Sequence, residues 1–538
     1  MSQSEPTQQN FDVVVVGAGF SGLYALHQLR ERGLKVRALE LGTNVGGTWY
    51  WNRYPGARTD STTSVYQYWF SEELLDEWQW SERFAAQEET ERYLNHVADK
   101  FDLRRDIQFE TRVTAADFDE SSERWTVKTE AGENFTAQFL LMGTGGLTEM
   151  SLPDFKGIDS FKGEWYHTAR WPKEPIDFAG KRVGVFGTGA TGIQVIQTIA
   201  SKVDHLTVFQ RTPTYTIPMQ NPRLDEAHQA ERRANRSEIK ELVDRSFSGA
   251  EFTFDEKSYF DFSADERRAR MEALWQEGSL SFWVGSFREV FTDERANAEV
   301  SEFVREKIRA RLDNPALAAK LVPTTYGFGT RRVPLETGYY EAYNRSNVEL
   351  VDLLETPVER ITEKGVATTA SEHELDMIVY ATGFDAGTGA LTHIDIRGKD
   401  GTVLRDAWAD GIRSFMGLQV HGFPNMFMTM APLSPGAAFC NVPTCIQQQI
   451  DWIADCIDFV RTESGRSIEP KAEAEAAWVA HHNEVASALL VSKANSWYMG
   501  SNIAGKPRGL VAYAGGADVY ADQCKEVKAG GYQEFNIA

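Results

Sequence analysis

Basic residues and cysteines are both scarce in this chain, and each shortage excludes a class of function. Against 78 Asp and Glu, the 538 residues carry 56 Lys and Arg, a formal charge of −22. Repulsion therefore disfavours a nucleic-acid or anionic-membrane partner, and any anionic ligand must be held by a local cluster of cations. The four cysteines, Cys440, Cys445, Cys456 and Cys524, are too few and too late in the chain for a disulfide framework. They read as reduced thiols that pack as small hydrophobes. No stretch approaches the roughly 18 apolar residues that span a bilayer, and "MSQSEPTQQNFD" has no basic-then-apolar leader pattern. The expectation is a soluble, cytoplasmic protein. No internal repeat and no low-complexity tract is visible, and a chain of this length exceeds what a single hydrophobic core supports.

What the chain does have is glycine at two strand ends. In "FDVVVVGAGFSGLYALHQLRERG" an apolar strand, Val13 to Val16, runs into Gly17, Gly19 and Gly22, and a helical pattern follows with Leu23, Leu26 and Leu29 on one face. Three such glycines arise by chance about one time in four at this composition, so the flanking strand and helix carry the reading. A second strand, "KVRALE", ends on Glu40, where a carboxylate accepts ribose hydroxyls. Glycine lets the backbone approach a pyrophosphate, and the helix N-terminus stabilises its charge. Because a carboxylate repels a 2′-phosphate, this first site suits FAD or NAD rather than NADP.

"KRVGVFGTGATGIQVIQTIA" repeats the pattern with strand Val183 to Phe186 and Gly187, Gly189 and Gly192. Its second strand, "HLTVFQRTP", ends on Gln210, Arg211 and Thr212 with no carboxylate. That suits NADP, since a guanidinium pairs bidentately with a 2′-phosphate. One such pair at about 4 Å is worth about 1 kcal/mol in water and about 4 at an effective dielectric near 20, enough to decide between nucleotides. Two dinucleotide sites in one chain imply hydride traffic from NADPH to a bound flavin.

The expected fold is α/β, with two dinucleotide-binding, Rossmann-like domains and a helical insertion in the second. Residues 1–149 would open the FAD-binding domain, 150–384 would form the NADP-binding domain, and 385–538 would return to the first. Hinges are expected near Leu147 to Pro153 and near Phe384 to Gly387. "RWTVKTEAGENFTAQFLLMGTG" reads as an antiparallel meander returning to a strand at Phe139 to Met142, and "ATTASEHELDMIVYATGFDA" as its mirror, with a strand at Asp376 to Tyr380. Residues 221–323 are charge-dense, with a helical stripe of Val300, Phe303, Val304, Ile308 and Leu312 ended by Asp313-Asn314-Pro315. Cys440 and Cys445 are spaced like the redox dithiol of flavin disulfide reductases, but lie far downstream of the first nucleotide site, where that family places it.

The segment "FKGEWYHTARWP" crowds rings into a connector. Its Phe161-x-Gly163-x3-His167-x3-Trp171-Pro172 pattern has roughly four chances in 100,000 of arising at random here, so it is specific where a glycine triplet is not. It resembles the fingerprint of the Baeyer–Villiger monooxygenases that use FAD and NADPH. Gly47-x-Trp49-x4-Tyr54-Pro55-Gly56-x3-Asp60 is similar to the family's other signature. "SPGAAFCN" and "SWYMGSNIAGKPR" look most like the cyclopentanone and cyclohexanone enzymes.

The resemblance, which covers nearly the whole chain, implies oxygen insertion from O2 beside a ketone carbonyl, through a C4a-peroxyflavin, to give an ester or lactone. A cyclic ketone is the favoured substrate, with no obligate protein partner. An anion in a dry pocket calls for a fixed cation, and Arg suits this because it stays charged and forks two donors. The resemblance assigns that role to Arg332, its positioning acid to Asp60, the 2′-phosphate to Arg331, and cofactor contacts to Thr48, Trp49 and Trp497. It places Leu433, Ser434 and Phe439 at the substrate pocket and makes the fingerprint a hinge with His167 as a latch. Three departures touch the pocket: Ser61-Thr62-Thr63 lacks a Glu two residues after Asp60, Gly143 replaces an Ala, and Ala431 precedes Pro432 where Gly is usual. The rival readings are a flavin N- or S-hydroxylating monooxygenase and an NADPH-dependent flavin reductase with a protein acceptor.

Overall fold

Val13, Val14 and Val15 are completely buried because both faces of their strand are covered. This computed structural model describes residues 9–436 and 439–538. Strand β1 (Gln9–Val16) leads through helix α1 (Phe20–Glu31) to β2 (Val36–Leu39), its parallel neighbour. Helix α2 (Thr48–Trp51) follows, and β3 (Ile107–Gln108) closes that edge of the sheet. Next, β4 (Val113–Asp119), β5 (Arg124–Thr129) and β6 (Asn134–Met142) form the expected antiparallel meander, with β6 returning parallel to β1. Two late strands rejoin this sheet: Asp395–Arg397 pairs with β4 and Met426–Met428 with the far half of β6. One face packs on α1 and the long helix Val442–Thr462, the other under Trp125, Met426 and Met428.

The second sheet is wholly parallel. In spatial order it holds Val348–Asp352, β9 (His205–Gln210), β8 (Arg182–Phe186), Met377–Tyr380 and, at its edge, β7 (Glu164–His167). Helix Ala190–Ile199 makes the crossover from β8 to β9. Between β9 and Val348 the chain is largely helical, and helix Glu294–Arg309 buries the predicted stripe of Val300, Phe303, Val304 and Ile308. Asp313-Asn314-Pro315 marks a beginning as well as an end. The Asn314 side chain accepts the N–H groups of Ala316 and Leu317, and Pro315 opens helix Pro315–Leu321.

The two crossings between the sheets run side by side. The Ser151 N–H donates to Gly383 O (2.9 Å), the Asp385 N–H to Glu149 O (2.9 Å) and the Gly387 N–H to Gly146 O (2.8 Å). His167, at the end of β7, locks this ladder. Its Nδ1 accepts the Ala169 N–H (3.1 Å), so Nε2 carries the proton and faces Thr382 Oγ1 (3.3 Å), which donates onward to Ser151 O (2.5 Å).

The other fingerprint residues make β7 fit and dock it. A Cβ on Gly163 would lie 2.5 Å from both the Asp376 carbonyl and the Phe161 ring, so only glycine closes this edge. Phe161 is buried among Phe186, Phe209 and Ile378, while Trp171 packs with Tyr166 and Phe178. Just beyond β7, Arg170 lies over the Trp51 ring (4.6 Å) and Lys173 over Tyr50 (4.7 Å). The segment thus bridges the second sheet to α2 of the first unit, with Pro172 between those cations. Among the described residues, no helix is long and apolar enough to cross a membrane.

The burial of His167 predicts a loss of stability in acid. Burial lowers its pKa from the ordinary 6.5 to about 4. The unfolded chain therefore takes up this proton before the folded one does; stability is full above pH 6.5 and falls as the pH drops towards 4. The expected loss is on the order of 3 kcal/mol. Thermal melting across that range should show a shallower pH slope in His167→Gln than in the parent. Equal slopes would place the acid sensitivity on another group.

Candidate functional site

Both glycine loops open on one cavity of about 2040 Å³ that runs between the sheets. At the first, Gly17 has φ +104°, and a Cβ on it would sit 2.6 Å from Gly143 O; on Gly22 it would sit 1.9 Å from Gly17 O. Gly19 caps α1 and lies against Gly47, where a Cβ would come 3.2 Å from the Gly47 Cα. No acidic side chain occupies the first turn of α1, so its N–H groups face the cavity uncompensated. Glu40 is buried, with Oε2 accepting the Ala18 N–H (2.7 Å) and Oε1 the Gly42 N–H (2.6 Å). Burial raises its pKa, opposed by those N–H groups and by Arg170. Thr48 and Trp49 line the same end, and the Trp49 indole donates to Tyr66 (3.0 Å).

The second loop repeats this geometry with one difference. Gly187 (φ +101°) and Gly192 are closed by Ala381 O and Gly187 O, but a Cβ on Gly189 would meet nothing within 4 Å. The open space in front of helix Ala190–Ile199, which also lacks acidic residues in its first turn, is a cradle of pyrophosphate type. Two cations stand beside it. Arg211 is exposed at the end of β9, next to Thr212, whose carbonyl accepts the Thr188 hydroxyl (2.9 Å). Arg331 lies over the Tyr326 ring (4.5 Å), with its Nε buried and lacking a hydrogen-bond partner. Burial lowers the Arg331 pKa, Tyr326 opposes this, and the like charge of Arg211 lowers it further. Two cations and no carboxylate at this end of the cavity are the chemistry that suits a 2′-phosphate.

Arg332 stands at the centre, on the segment between helix Pro315–Leu321 and strand Leu335–Glu336. It pairs with Asp60, both side chains being mostly buried, and its guanidinium lies 5.6 Å from the Trp283 ring centre. Burial pulls the Arg332 pKa down, but Asp60 and the Tyr498 hydroxyl push it harder the other way, and the net direction is up. The cation therefore stays charged. Burial raises the Tyr498 pKa against the pull of Arg332, which keeps that hydroxyl protonated. Trp497, stacked edge-on against Tyr498 (4.3 Å), lines the cavity beside them.

The Asp60 loop is pinned to the second unit as well. Tyr54 donates to Gln194 Oε1 (2.9 Å), and Gln194 Nε2 donates to Arg58 O (3.1 Å). A Cβ on Gly56 would lie 2.2 Å from Thr198 Oγ1, so the Pro55-Gly56 turn seats directly on helix Ala190–Ile199.

Of the three predicted pocket residues, only Phe439 lines the cavity. Leu433 is packed in the core of the first unit, and the Ser434 hydroxyl bonds back to Ala431 O (2.8 Å). The apolar wall comes instead from the helical segment after β9: Phe252, Leu280, Trp283 and Val284. Sequence reading missed these four, and Tyr498. For Trp283 and Val284 the signal was the ring density of "SFWVGSF" inside a charged stretch. A Cβ on Gly329 would lie 2.5 Å from the Trp283 indole nitrogen, so glycine there makes room for that ring.

Cys440 and Cys445 are not the reduced thiols expected from composition; they are joined as a disulfide. Asn441 caps helix Val442–Thr462, which places Cys440 just before the cap and Cys445 on the fourth helical residue. These are the two positions that a hydrophobic staple brings together, and a count of cysteines cannot see that. Cys456 and Cys524 are free and buried, and burial raises the Cys524 thiol to about 12.

Two substitutions test the nucleotide ends separately. Gly22→Ala drives a methyl into the Gly17 carbonyl and should yield protein without bound FAD, read from the flavin absorbance after purification. Arg211→Ala should raise the KM for NADPH by roughly tenfold or more with little change for NADH. Equal effects on both would mean that the 2′-phosphate is read elsewhere.

Comparison with known proteins agrees with this geometry. Residues 10–221 match the family model described as flavin-binding monooxygenase-like. The chain is 53% identical to acetone monooxygenase (methyl acetate-forming) of Gordonia sp. (strain TY-5), over 98% of this chain and 99% of that protein. It is 39% identical to cyclopentanone 1,2-monooxygenase of Comamonas sp. (strain NCIMB 9872), over 100% of this chain and 98% of that one. A solved structure of OTEMO complexed with FAD and NADP superposes with a TM-score of 0.95 at 40% identity, covering 99% of this chain and 100% of that one. With two nucleotide loops facing one cavity and relatives of this identity along its whole length, the chain belongs to the FAD- and NADP-dependent Baeyer–Villiger monooxygenases.

Proposed function

We propose that this enzyme uses NADPH and O2 to turn a ketone into an ester or lactone at the Arg332 end of the cavity, with Arg332 the catalytic residue and Asp60 its positioning acid. The observation that carries this reading is the Arg332–Asp60 pair on the wall of a cavity reached by both glycine loops. Bound FAD, once reduced, supplies the activation of O2. Gly17, Gly19, Gly22, Glu40, Thr48 and Trp49 would hold it. Gly187, Gly189, Gly192, Arg211, Thr212 and Arg331 would hold the pyrophosphate and 2′-phosphate of NADPH, and Trp497 would contact its nicotinamide half.

Arg332 offers two parallel donors to oxygen atoms on which negative charge grows. Asp60 anchors the guanidinium through an ion pair, and the nearby Tyr498 hydroxyl helps to keep it charged. Phe252, Trp283 and Phe439 exclude water, which strengthens that interaction. Residues 1–149 and 385–538 form the FAD unit and 150–384 the NADP unit, with 221–323 as the helical part that walls the cavity. The Leu147–Pro153 and Phe384–Gly387 crossings are its hinges and His167 their latch. Both electron-transfer partners meet in one cavity, so no protein acceptor is required, and the cytoplasm, where NADPH is abundant, suits the reaction.

Cyclic ketones are the favoured substrate class, because Phe252, Leu280, Trp283, Val284 and Phe439 give the cavity an apolar, largely aromatic wall. A small acyclic ketone is the second reading, favoured by the relative named for acetone. Products from cyclopentanone, acetone and an aromatic N-heterocycle, measured against NADPH consumed with and without O2, separate the readings. Lactone or ester is expected. An N-oxide alone, or NADPH turnover that needs no O2, would overturn the proposal.

Arg332→Ala should lower ester formation by roughly 100- to 1000-fold, as for a well-placed anion stabiliser. NADPH oxidation should continue as leakage to hydrogen peroxide. Arg332→Lys should recover little, because an ammonium cannot reproduce two parallel donors. Near-parental ester yield in the Ala variant would shift attention to Arg331 or Arg58.

A further inference from the structure

The loop that carries Asp60 is held from a part of the chain nearly two hundred residues away. Thr62 O accepts the N–H groups of Val65 (3.1 Å) and Tyr66 (2.9 Å), which folds residues 62–66, beginning two residues after Asp60, into a tight turn. On the same turn, the Thr62 and Ser64 hydroxyls are 2.8 Å apart. Ser64 in turn donates to the Glu251 carboxylate. Glu251 sits between Ala250 and Phe252, both of which line the cavity. Asn441 makes the same junction with backbone and side chain together, its N–H donating to Ser248 O (2.7 Å) and its Nδ2 to Val65 O (2.8 Å). The position two residues after Asp60, where the sequence lacks a carboxylate, is therefore linked to one through Ser64.

We infer that Glu251 is a positioning residue for the Asp60–Arg332 pair, joining the cavity wall at Ala250 and Phe252 to the Asp60 turn through Ser64 and Thr62. A ketone seated against that wall then presses on the same unit that aims the guanidinium. The link is a side-chain hydrogen bond, so its loss should loosen the turn without emptying either nucleotide site. NADPH would still be consumed, but less of it would end in ester. This deepens the reading of Arg332 and Asp60 and rests on it.

The test uses the FAD-loaded enzyme and the variants Glu251→Ala, Ser64→Ala, the double variant and Glu251→Gln. Each Ala variant should lower ester formed per NADPH by roughly tenfold, the scale of one hydrogen bond to a charged group. The double variant should be no worse than either, since one link is broken only once. Glu251→Gln keeps an acceptor for Ser64 and should retain at least half of the parental yield. Anaerobic flavin reduction by NADPH should be unchanged, and amide hydrogen exchange in residues 60–66 should quicken in the Ala variants only.

Parental yield in Glu251→Ala, losses that multiply in the double variant, or a Gln variant as poor as Ala would each overturn the inference. Arg332→Ala, run in parallel, keeps the two readings apart. If it also forms ester at parental yield, the site assignment fails; if it does not and the Glu251 and Ser64 variants are silent, the link alone fails.

Discussion

A guanidinium held charged in an aromatic cavity is the constraint that the rest of this structure serves. Arg332 loses hydration on burial and regains stabilisation from Asp60, Tyr498 and the face of Trp283. None of these neighbours is close to it in sequence. Asp60 comes from the first nucleotide unit, Trp283 from the helical segment of the second, and Tyr498 from the segment after the return to the first. An uncompensated buried charge costs several kcal/mol, so the pair exists only where these elements meet.

That meeting depends on contacts too close for any side chain larger than hydrogen. Gly56 lets the Asp60 loop sit on helix Ala190–Ile199, Gly163 lets β7 close the second sheet, and Gly329 makes room for Trp283. The rings of the fingerprint segment have the complementary task. Phe161 and Trp171 anchor the edge strand in the second unit, while Arg170 and Lys173 reach across to the rings of α2. The His167–Thr382–Ser151 chain then ties both crossings to that strand. A connector rich in rings is thus packed into the second sheet while its cations reach the first.

The two nucleotide loops were legible because their chemistry is local: strand, glycine turn, helix and terminal residue follow each other within about thirty positions, and backbone sterics fix their geometry. The antiparallel meander and the stripe of helix Glu294–Arg309 were legible for the same reason, since periodicity records which face is buried. The Cys440–Cys445 bond was misread because cysteine count says nothing about the geometry of a helix cap. Leu433 and Ser434 were placed at the pocket by resemblance, yet their side chains turn into the core, because a segment can pass a cavity without every residue facing it.

The sequence by itself determined two strand–glycine–helix units, one followed by a strand ending on a carboxylate and the other by a strand ending on an arginine. These follow from neighbouring residues and the steric and electrostatic rules they obey, whereas Arg332 was singled out by resemblance to a family. Only the tertiary structure decided which side chains wall the cavity, what holds Asp60 in place and how the two crossings pair. Those depend on contacts between segments hundreds of residues apart, such as Ser64 with Glu251 and Asn441 with Val65. Distance along the chain carries no record of such contacts; they are fixed when the apolar faces of the two units are buried together.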